Sequence, residues 1–438
     1  MRNYPAVGLQ VPDALIPKES ISMEKWAVVA CDQYTSQPDY WDEVRQVSNG
    51  SPSAYNLILP EAYLGTQRER AHQSKIDSSM KAYFKSGLFR ETQGFIYVER
   101  SLGNKTRQGL IATLDLEKYD FHKDSQSLIR ATEGTIIDRL PPRIEIREKA
   151  LLEIPHILVL IDDPQFTVIE PLAAEAKSLQ SLYDFELMLG GGHLRGALIN
   201  NLEVEQKVIS ALRNLSDRGL QNQKYSVESA PLLYAVGDGN HSLAAAKSFW
   251  EKIKGNVNQD HPARFALVEI VNIHNEGIEF EPIHRLAKNF GVDLLGALSS
   301  FFSNEINFIK VQDFDSLAEL IKNQKPESQL IGLVSKDKLQ IVEILKPLHT
   351  LPVGSMQLFL DDLLLINPEI SVDFIHGDDA LQQLASQPAN IGFYLPAMEK
   401  SSLFKSVIKD GPLPRKTFSM GEAHEKRYYL ECRKIQVD

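Results

Sequence analysis

The pattern of apolar and polar residues changes period at position 237, and this change marks the clearest predicted element of the chain. Residues 232–236 form an apolar run with the length of a buried strand, and the sequence GDGN at 237–240 follows as a turn. From 243 to 253 apolar residues recur at steps of three and four, which predicts a helix with one buried face. We therefore expect a strand, a glycine-rich turn and a helix that Asp238 or Asn240 caps.

Other apolar runs predict further strands, and amphipathic charged stretches between them predict helices. The predicted strands include residues 26–31, 94–99, 109–116, 157–161 and 265–271. Segments 94–99 and 109–116 are expected to pair with each other, and helices alternate with strands between 290 and 400. This alternation indicates an α/β fold with mixed sheets covered by helices.

The length of 438 residues allows two or three domains or one elaborated core. A polar connection near 221–226 suggests a soft boundary. It separates residues 1–225, which contain a second glycine-rich turn at 190–196, from residues 226–438.

Composition and charge restrict the class of protein. The formal net charge of -11 argues against a general nucleic-acid binder, whose surface is basic. Two cysteines provide no disulfide framework, and no apolar run reaches the ~20 residues that span a bilayer. We expect a cytoplasmic protein that binds a small molecule and neither nucleic acid nor membrane, and the sequence predicts no oligomeric state.

The turn at 237–241 has the chemistry of an anion site. The first turn of a helix exposes unsatisfied backbone N–H groups and the positive end of the helix dipole, which favour a phosphate or carboxylate. Gly237 and Gly239 allow close approach of the backbone, and His241 offers a charge or a proton. The alternative is that both glycines only permit a tight turn and that His241 is a surface residue.

Further basic residues stand beside glycine or proline turns. His193 and Arg195 lie in the second glycine-rich turn, and Arg143 lies at the start of a charged helix. His284 and Arg285 follow a proline at the start of another predicted helix. A hinge or a solvated ion-pair face explains each of these groups equally well, but their number raises the expectation of a shared anion pocket.

Asp32 follows the predicted strand 26–31 in a polar loop, where functional side chains often lie on a rigid base. It is a candidate general base or metal-bridging carboxylate. The alternative is that Asp32 caps the turn that leads into the next helix.

Several separated motifs resemble the bacterial family called DUF1015. They are WAVVACDQYTSQPDYW from residue 26, RLPPR from 139, GDGNHSLAAAK from 237, EPIHRL from 281 and LPRKTFSMGEAHEKRYYLE from 413. The resemblance runs nearly from end to end, and it makes Arg415 and Lys416 of the last motif candidate phosphate or substrate contacts. Members often read Asp-Gly-His-His-Arg at the turn, which is similar to the nucleotide-binding turn of the ParB, sulfiredoxin and free-serine-kinase superfamily. This similarity implies a ParB/sulfiredoxin-like core within a larger mixed α/β region.

The sequence departs from that turn at two positions. Asn240 stands where the first histidine often lies, and Ser242 stands where the arginine lies. A hydroxyl in place of a permanently charged guanidinium weakens an anion site unless another cation supplies the charge. Arg195 is the candidate replacement.

The resemblance implies a nucleotide-dependent phosphotransferase that uses ATP or ADP with Mg²⁺ on a small polar metabolite, such as free serine or a related hydroxy acid. The catalytic candidates are then His241, Asp238 and Asp32, and no metal ligand is assigned. The phosphate-binding candidates are Gly237, Gly239, Asn240, Ser242, His193, Arg195, Arg143, His284, Arg285, Arg415 and Lys416. A binding protein without turnover and a phosphatase-like hydrolase are the alternatives.

Overall fold

The computed structural model describes residues 2–324, 328–336 and 338–436. The chain divides into two compact units: unit 1 is Met1–Ile278 with Gly421–Asp438, and unit 2 is Glu279–Met420. The boundary expected near residue 225 differs from this division. Strands on both sides of that position belong to one sheet, so the position lies inside unit 1.

Most of the secondary structure of unit 1 lies before residue 279. Its strands there are β1 (Asn3–Tyr4), β2 (Leu9–Gln10), β3 (Asp13–Pro17), β4 (Val28–Val29), β5 (Phe89–Gln93), β6 (Phe95–Leu102), β7 (Lys105–Asp115), β8 (Tyr119–Asp120), β9 (Ile129–Ala131), β10 (Leu152–Glu153), β11 (Leu158–Ile161), β12 (Gln180–Glu186), β13 (His193–Ile199), β14 (Tyr234–Asp238) and β15 (Phe265–Asn272). Its helices are α1 (Met23–Trp26), α2 (Pro38–Val47), α3 (Gln67–Lys85), α4 (Leu140–Lys149), α5 (Leu172–Ala176), α6 (Leu202–Leu215), α7 (Arg218–Tyr225) and α8 (Asn240–Ile253).

Unit 2 and the returning segment contain the remaining elements. The strands of unit 2 are β16 (Phe280–Lys288), β17 (Ile306–Lys310), β18 (Gln329–Val334), β19 (Leu339–Ile344), β20 (Ser371–His376), β21 (Ile391–Tyr394) and β22 (Phe418–Met420). Its helices are α9 (Leu294–Phe301), α10 (Phe314–Lys322), α11 (Pro352–Ile366), α12 (Asp378–Ala385) and α13 (Ser402–Asp410). The chain then returns to unit 1, where it forms β23 (Tyr428–Tyr429) and β24 (Arg433–Lys434).

The main sheet of unit 1 mixes parallel and antiparallel pairs. Its strand order is β12-β13-β6-β7-β15-β11-β14-β9-β8, and β2 pairs with β7 beside this path. Strand β11 is parallel to β15 and antiparallel to β14. The predicted pairing of segments 94–99 and 109–116 is confirmed as the antiparallel hairpin of β6 and β7.

Both faces of this sheet are buried, because successive side chains of a strand point to opposite faces. In β6, Phe95 and Tyr97 belong to one core cluster, which α6 and α8 cover. Ile96 and Val98 belong to a second cluster, which includes Tyr428 from the returning segment. Residues 428–435 of the returning segment are therefore part of the interior of unit 1.

The predicted strand, turn and helix around residue 237 are confirmed as β14 and α8. Leu243, Phe249 and Trp250 are buried on the face of α8 that the apolar spacing indicates. The helix ends at Ile253.

Unit 2 forms a separate antiparallel sheet in the order β17-β19-β18-β21-β16-β20, with β22 paired to β16. Helices α10 and α12 cover it through a core that includes Leu286, Leu317 and Leu381. The alternation of helices and strands predicted between 290 and 400 is confirmed, as is the α/β class with mixed sheets. The likeness of the β14–α8 element to the ParB superfamily stays a prediction.

Two local predictions are wrong. Residues 26–31 form only the two-residue strand β4, which pairs with β23, because the apolar run is buried by the returning segment instead of by a long strand ladder. His284 and Arg285 lie within β16 and not at a helix start, because residues 280–288 pair with strands on both sides. No helix in the described part of the chain has the length and apolarity needed to cross a membrane.

Candidate functional site

The turn between β14 and α8 places a helix N-terminus directly at the end of a strand. Gly239 is the N-cap in the left-handed conformation, with φ of 77° and ψ of 25°. The left-handed conformation favours glycine, and a Cβ on Gly239 would lie 3.0 Å from Cγ1 and 3.1 Å from Cα of Ile157, a close contact that would require Ile157 to shift. Asp238 Oδ1 accepts a 2.8 Å hydrogen bond from the Gly239 backbone N–H. The predicted capping of α8 by Asp238 or Asn240 is wrong, because glycine itself forms the helix entry.

Asn240 is a buried polar residue in the first turn of α8, with 7% of its surface exposed. Its Nδ2 donates to the backbone carbonyl of Val236 at 3.3 Å. Its Oδ1 is buried and has no hydrogen-bond partner among the described residues. Such an atom is costly unless a ligand or water satisfies it, so Oδ1 marks a place for a hydrogen-bond donor.

His241 also lies in the first turn, and its hydrogen bond defines its tautomer. The Ile136 backbone N–H donates to His241 Nε2 at 3.2 Å. A ring nitrogen that accepts carries no proton, so the neutral imidazole holds its proton on Nδ1. In this arrangement His241 is a donor through Nδ1, and protonation of Nε2 breaks the bond to Ile136. Gly237 and Ser242, the remaining predicted residues of the turn, are partly buried beside it.

Lys426 supplies a positive charge to this turn from the returning segment. Its Nζ lies 3.8 Å from Asp238 Oδ2, and the side chains are 12% and 18% exposed. Lys426 also lies within electrostatic reach of Asp32. Two predicted carboxylates that are far apart along the chain, Asp32 and Asp238, thus both interact electrostatically with one lysine.

Two arginines hold the backbone that carries Lys426. Arg100 is buried in β6 and donates to the carbonyls of His424, Glu425 and Lys426. Arg107 of β7 donates to the Glu425 carbonyl at 3.0 Å. Burial lowers the pKa of Arg100 to about 10. These guanidinium groups donate hydrogen bonds to backbone carbonyls. They therefore position the segment that carries Lys426 instead of binding an anion.

Asp32 is an acidic group whose electrostatic surroundings favour its charged form. Burial by itself raises the pKa of Asp32, but nearby His156 and Lys426 and the Gln33 amide lower it, and the net shift is below its ordinary value. Gln33 Nε2 donates to Asp32 Oδ1 at 3.2 Å. His156 is buried, with its ring edge-on to Tyr429 at 5.3 Å. Asp32 is therefore held as a carboxylate, which can accept a proton.

Arg143 lies close to the Asp32 turn. Its NH2 group lies 2.5 Å from Glu61 Oε1, and the Glu61 backbone N–H donates to the Cys31 carbonyl at 2.8 Å. Burial and the neighbouring Asp32 raise the pKa of the Cys31 thiol to about 12, so this cysteine is no nucleophile.

His193 and Arg195 do not join this group. Their side chains pair within the sheet, His193 with Asp184 at 2.9 Å and Arg195 with Glu99 at 3.8 Å. Strands β6, β7, β15 and β11 lie between β13 and β14. The backbone of the glycine-rich turn nevertheless reaches the returning segment, since Arg100 donates to the Gly191 carbonyl at 2.8 Å and also to the carbonyls of residues 424–426. The cation next to Asp238 is thus Lys426 and not the predicted Arg195.

The remaining predicted basic residues belong to unit 2. His284 is buried, with Nε2 3.1 Å from Asp378 Oδ1. Arg285 is buried and donates to the backbone carbonyls of Lys416 and Arg415 at 3.0 and 3.1 Å. Burial lowers the pKa of Arg285 to about 10. These contacts give His284 and Arg285 a structural role, in which Arg285 holds the turn that carries Arg415 and Lys416.

The expected Mg²⁺ can be compared with the side chains that are present to bind it. Within residues 2–324, 328–336 and 338–436, no three His, Cys, Asp or Glu side chains form a group that could hold a metal ion. Mg²⁺ bound with phosphates needs only one or two protein carboxylates, because phosphate oxygens and waters complete its shell. Asp238 meets that smaller requirement.

Sequence reasoning missed Lys426, His156 and Arg100. Lys426 lies within the last family motif, from which the resemblance singled out only Arg415 and Lys416. His156 directly precedes the predicted strand 157–161, whereas Asp238 follows the predicted strand 232–236. Proximity to a strand end is thus a signal that could have found His156, whereas nothing local indicates which tail lysine returns to the sheet.

Comparisons with known proteins give a family and several distant structural matches. The family model described as "Protein of unknown function (DUF1015)" matches residues 15–366. No curated protein sequence matches the chain. A free serine kinase in complex with AMP is 11% identical, with a TM-score of 0.39, covering 74% of this chain and 92% of the kinase. A conserved hypothetical protein from Pyrococcus furiosus is 12% identical, with a TM-score of 0.36, covering 73% and 93%. At these scores the similarity does not bear on the function of this chain.

Proposed function

Since the chain belongs to the DUF1015 family, whose description names no function, we propose a function from its own site. The protein binds the phosphates of a nucleotide at the β14–α8 turn and transfers the terminal phosphoryl group to a hydroxyl of a small polar metabolite. One observation carries this proposal. Lys426 pairs with Asp238 at the glycine-capped start of α8, and its positive charge also acts on Asp32.

The start of α8 supplies the groups that hold phosphate oxygens. The N-cap residue Gly239 makes no side-chain cap hydrogen bond, and the first backbone N–H groups of α8 are the proposed donors to an anion. His241 adds an imidazole in the first turn of α8, and Lys426 adds a positive charge. Both the dipole and the lysine neutralise the charge that spreads over the phosphoryl oxygens in the transition state.

Asp32 is the proposed base. The hydroxyl oxygen of the acceptor forms a bond to the terminal phosphorus, and the bond from that phosphorus to the bridging oxygen of the nucleotide breaks. The hydroxyl proton passes to Asp32, which the surrounding charges hold in its carboxylate form. In the same site Asp238 would hold Mg²⁺ together with phosphate oxygens, and this ion would neutralise further charge.

The choice of a nucleotide rests on the turn sequence. Its GDGNHS motif is similar to the nucleotide-binding turn of the superfamily discussed above. Ser242 in place of the arginine favours a second candidate function, nucleotide or metabolite binding without turnover, because a hydroxyl neutralises less transition-state charge. The proposed catalytic function relies on Lys426 to provide that charge.

The proposal is tested first by thermal melting with ATP, ADP and CTP, each with Mg²⁺. A ligand at about 100 times its dissociation constant adds ~2.7 kcal/mol to the folded state, which gives a clear increase in melting temperature. We expect the increase for the native chain and a smaller one for His241→Ala. His122→Ala is the matched control, since His122 is an exposed residue of unit 1 that pairs with Asp120.

Turnover is tested by nucleotide consumption with serine and related hydroxy acids. Consumption that depends on the acceptor supports phosphoryl transfer, whereas a melting shift without consumption selects the binding function. Phosphate release from a phosphoester without nucleotide selects a hydrolase. No melting shift with any nucleotide would contradict the proposal.

A further inference from the structure

The hydrogen bonds around the buried amide of Asn240 fix which of its two polar atoms, Nδ2 or Oδ1, faces the Val236 carbonyl. The Val236 carbonyl accepts from Thr132 Oγ1 at 2.6 Å and from Asn240 Nδ2 at 3.3 Å. Rotating the amide by 180° would place Asn240 Oδ1 against that carbonyl oxygen, and two acceptors repel each other. The group that faces away from Val236 is therefore an oxygen, which can only accept a hydrogen bond.

An acceptor at this place is unsuited to phosphate. Phosphate oxygens of a nucleotide are themselves acceptors and carry negative charge near neutral pH, so they repel Asn240 Oδ1. Asn240 was predicted from sequence as a phosphate contact, and only its backbone N–H retains that role. Its side chain needs a partner with an N–H or O–H group, because Oδ1 is buried and without a partner among the described residues.

We infer that Asn240 recognises a donor group of the acceptor substrate, an ammonium or a hydroxyl that stands beside the hydroxyl receiving the phosphoryl group. This inference rests on the proposed function and narrows its substrate class. The carboxylate of Asp238, two residues before Asn240, favours the same groups, since it attracts donors and cations. Asn240 is thus a specificity-determining residue of the site.

Three acceptors test this assignment. Serine, glycerate and 3-hydroxypropionate carry the same carboxylate and the same terminal hydroxyl, and they differ only in an ammonium, a hydroxyl or a hydrogen on the middle carbon. The native protein is expected to phosphorylate serine or glycerate with a kcat/KM at least tenfold above that for 3-hydroxypropionate, because the last leaves Oδ1 unpaired. The preference should disappear in Asn240→Leu, and Asn240→Asp should favour serine over glycerate.

The matched control is Asn201→Leu. Asn201 caps α6 in unit 1 through a 2.8 Å bond from the Glu203 backbone N–H to its Oδ1. This substitution makes the same asparagine-to-leucine change at the start of another helix, so it should leave the acceptor preference unchanged. Equal use of all three acceptors by the native protein, or a preference that persists in Asn240→Leu, would overturn the inference.

Binding measurements separate this inference from the proposed function. If no acceptor is phosphorylated, the melting shifts produced by the three acceptors alone still decide the inference: a serine or glycerate shift that Asn240→Leu removes supports it, and equal or absent shifts contradict it. The ribose hydroxyls of the nucleotide are the other source of donors. The apparent affinities for ATP and 2′-deoxy-ATP, obtained from melting shifts, test this source. If the native chain binds 2′-deoxy-ATP at least tenfold more weakly than ATP, and Asn240→Leu binds both equally, then Oδ1 binds the ribose and the assignment to the acceptor is overturned.

Discussion

Lys426 and Arg100 are neighbouring cations of unit 1 whose partners give them different tasks. Arg100 faces backbone carbonyls of residues 424–426 and fixes the path of that segment. Lys426, on the same segment, faces the Asp238 carboxylate. The contacts of each side chain therefore give Arg100 a structural role and place Lys426 at the proposed site.

Replacing Lys426 by methionine should change the pH dependence of the proposed reaction. Lys426 helps to lower the pKa of Asp32, so its loss raises that pKa. The activity of a base falls as the pH drops through its pKa, so the acid limb of kcat/KM should move to higher pH. The same carboxylate stabilises the folded state above its unfolded pKa near ~3.9, and this contribution is lost as the pH falls through the folded pKa.

The matched control for this prediction is Lys252→Met. Lys252 lies on α8 and pairs with Glu148 at 2.5 Å on the exposed side of the helix. It carries the same charge as Lys426 but contacts a different carboxylate, so the acid limb should stay in place. An unchanged acid limb in Lys426→Met would show that this lysine does not act on the base.

At the scale of elements, β14 and α8 show why a glycine turn defines the site. The chain leaves the strand, reverses through Gly239 and starts the helix within three residues, so the uncapped N–H groups lie beside the strand-end carboxylate Asp238. A side-chain cap would occupy those N–H groups. The helix entry through glycine therefore keeps them accessible to a ligand.

Gly239→Ala should destabilise unit 1 more than Gly103→Ala does. Both glycines have positive φ, 77° and 59°, so each alanine costs about 1–2 kcal/mol in backbone strain. Gly103 has open space for a Cβ, whereas a Cβ on Gly239 would be 3.1 Å from Cα of Ile157. Urea unfolding followed by tryptophan fluorescence measures the difference, because all three tryptophans of the chain are buried in unit 1. Equal losses would mean that Ile157 moves aside freely.

Local pattern predicted β14, α8 and the hairpin of β6 and β7, since their periodicity and turns lie within a few residues. The strand expected at 26–31 and the helix start expected at His284 were wrong for a different reason. There the decisive partners are distant: β23 covers β4, and β20, β21 and β22 pair with β16. The same applies to the site, where Asp32 and Asp238 were predicted from strand ends but Lys426 arrives from the end of the chain.

On the scale of the whole molecule, unit 1 is built from two separate parts of the chain. The returning segment provides Lys426 to the site and Arg427 to the interior, where Arg427 Nε lies 3.0 Å from Glu269 Oε2. Glu269 is buried, so removal of Arg427 takes away one of the positive charges that compensate its buried carboxylate. Losing one partner of a buried ion pair costs about 3–5 kcal/mol. A chain that ends at residue 420 should therefore fail to give cooperative unfolding by tryptophan fluorescence.

Replacing Glu279–Met420 by a short glycine-serine linker should instead preserve unit 1. Both ends of the gap lie near Arg107: a Cβ on Gly277 would be 2.7 Å from its backbone nitrogen, and the Glu425 carbonyl accepts from its guanidinium at 3.0 Å. A short linker can span such neighbouring ends with little loop entropy. The linked protein should unfold cooperatively by tryptophan fluorescence and keep the melting shift with ATP. If it unfolds like the chain that ends at residue 420, then unit 1 needs unit 2 for its stability, and the site is not a property of unit 1 alone.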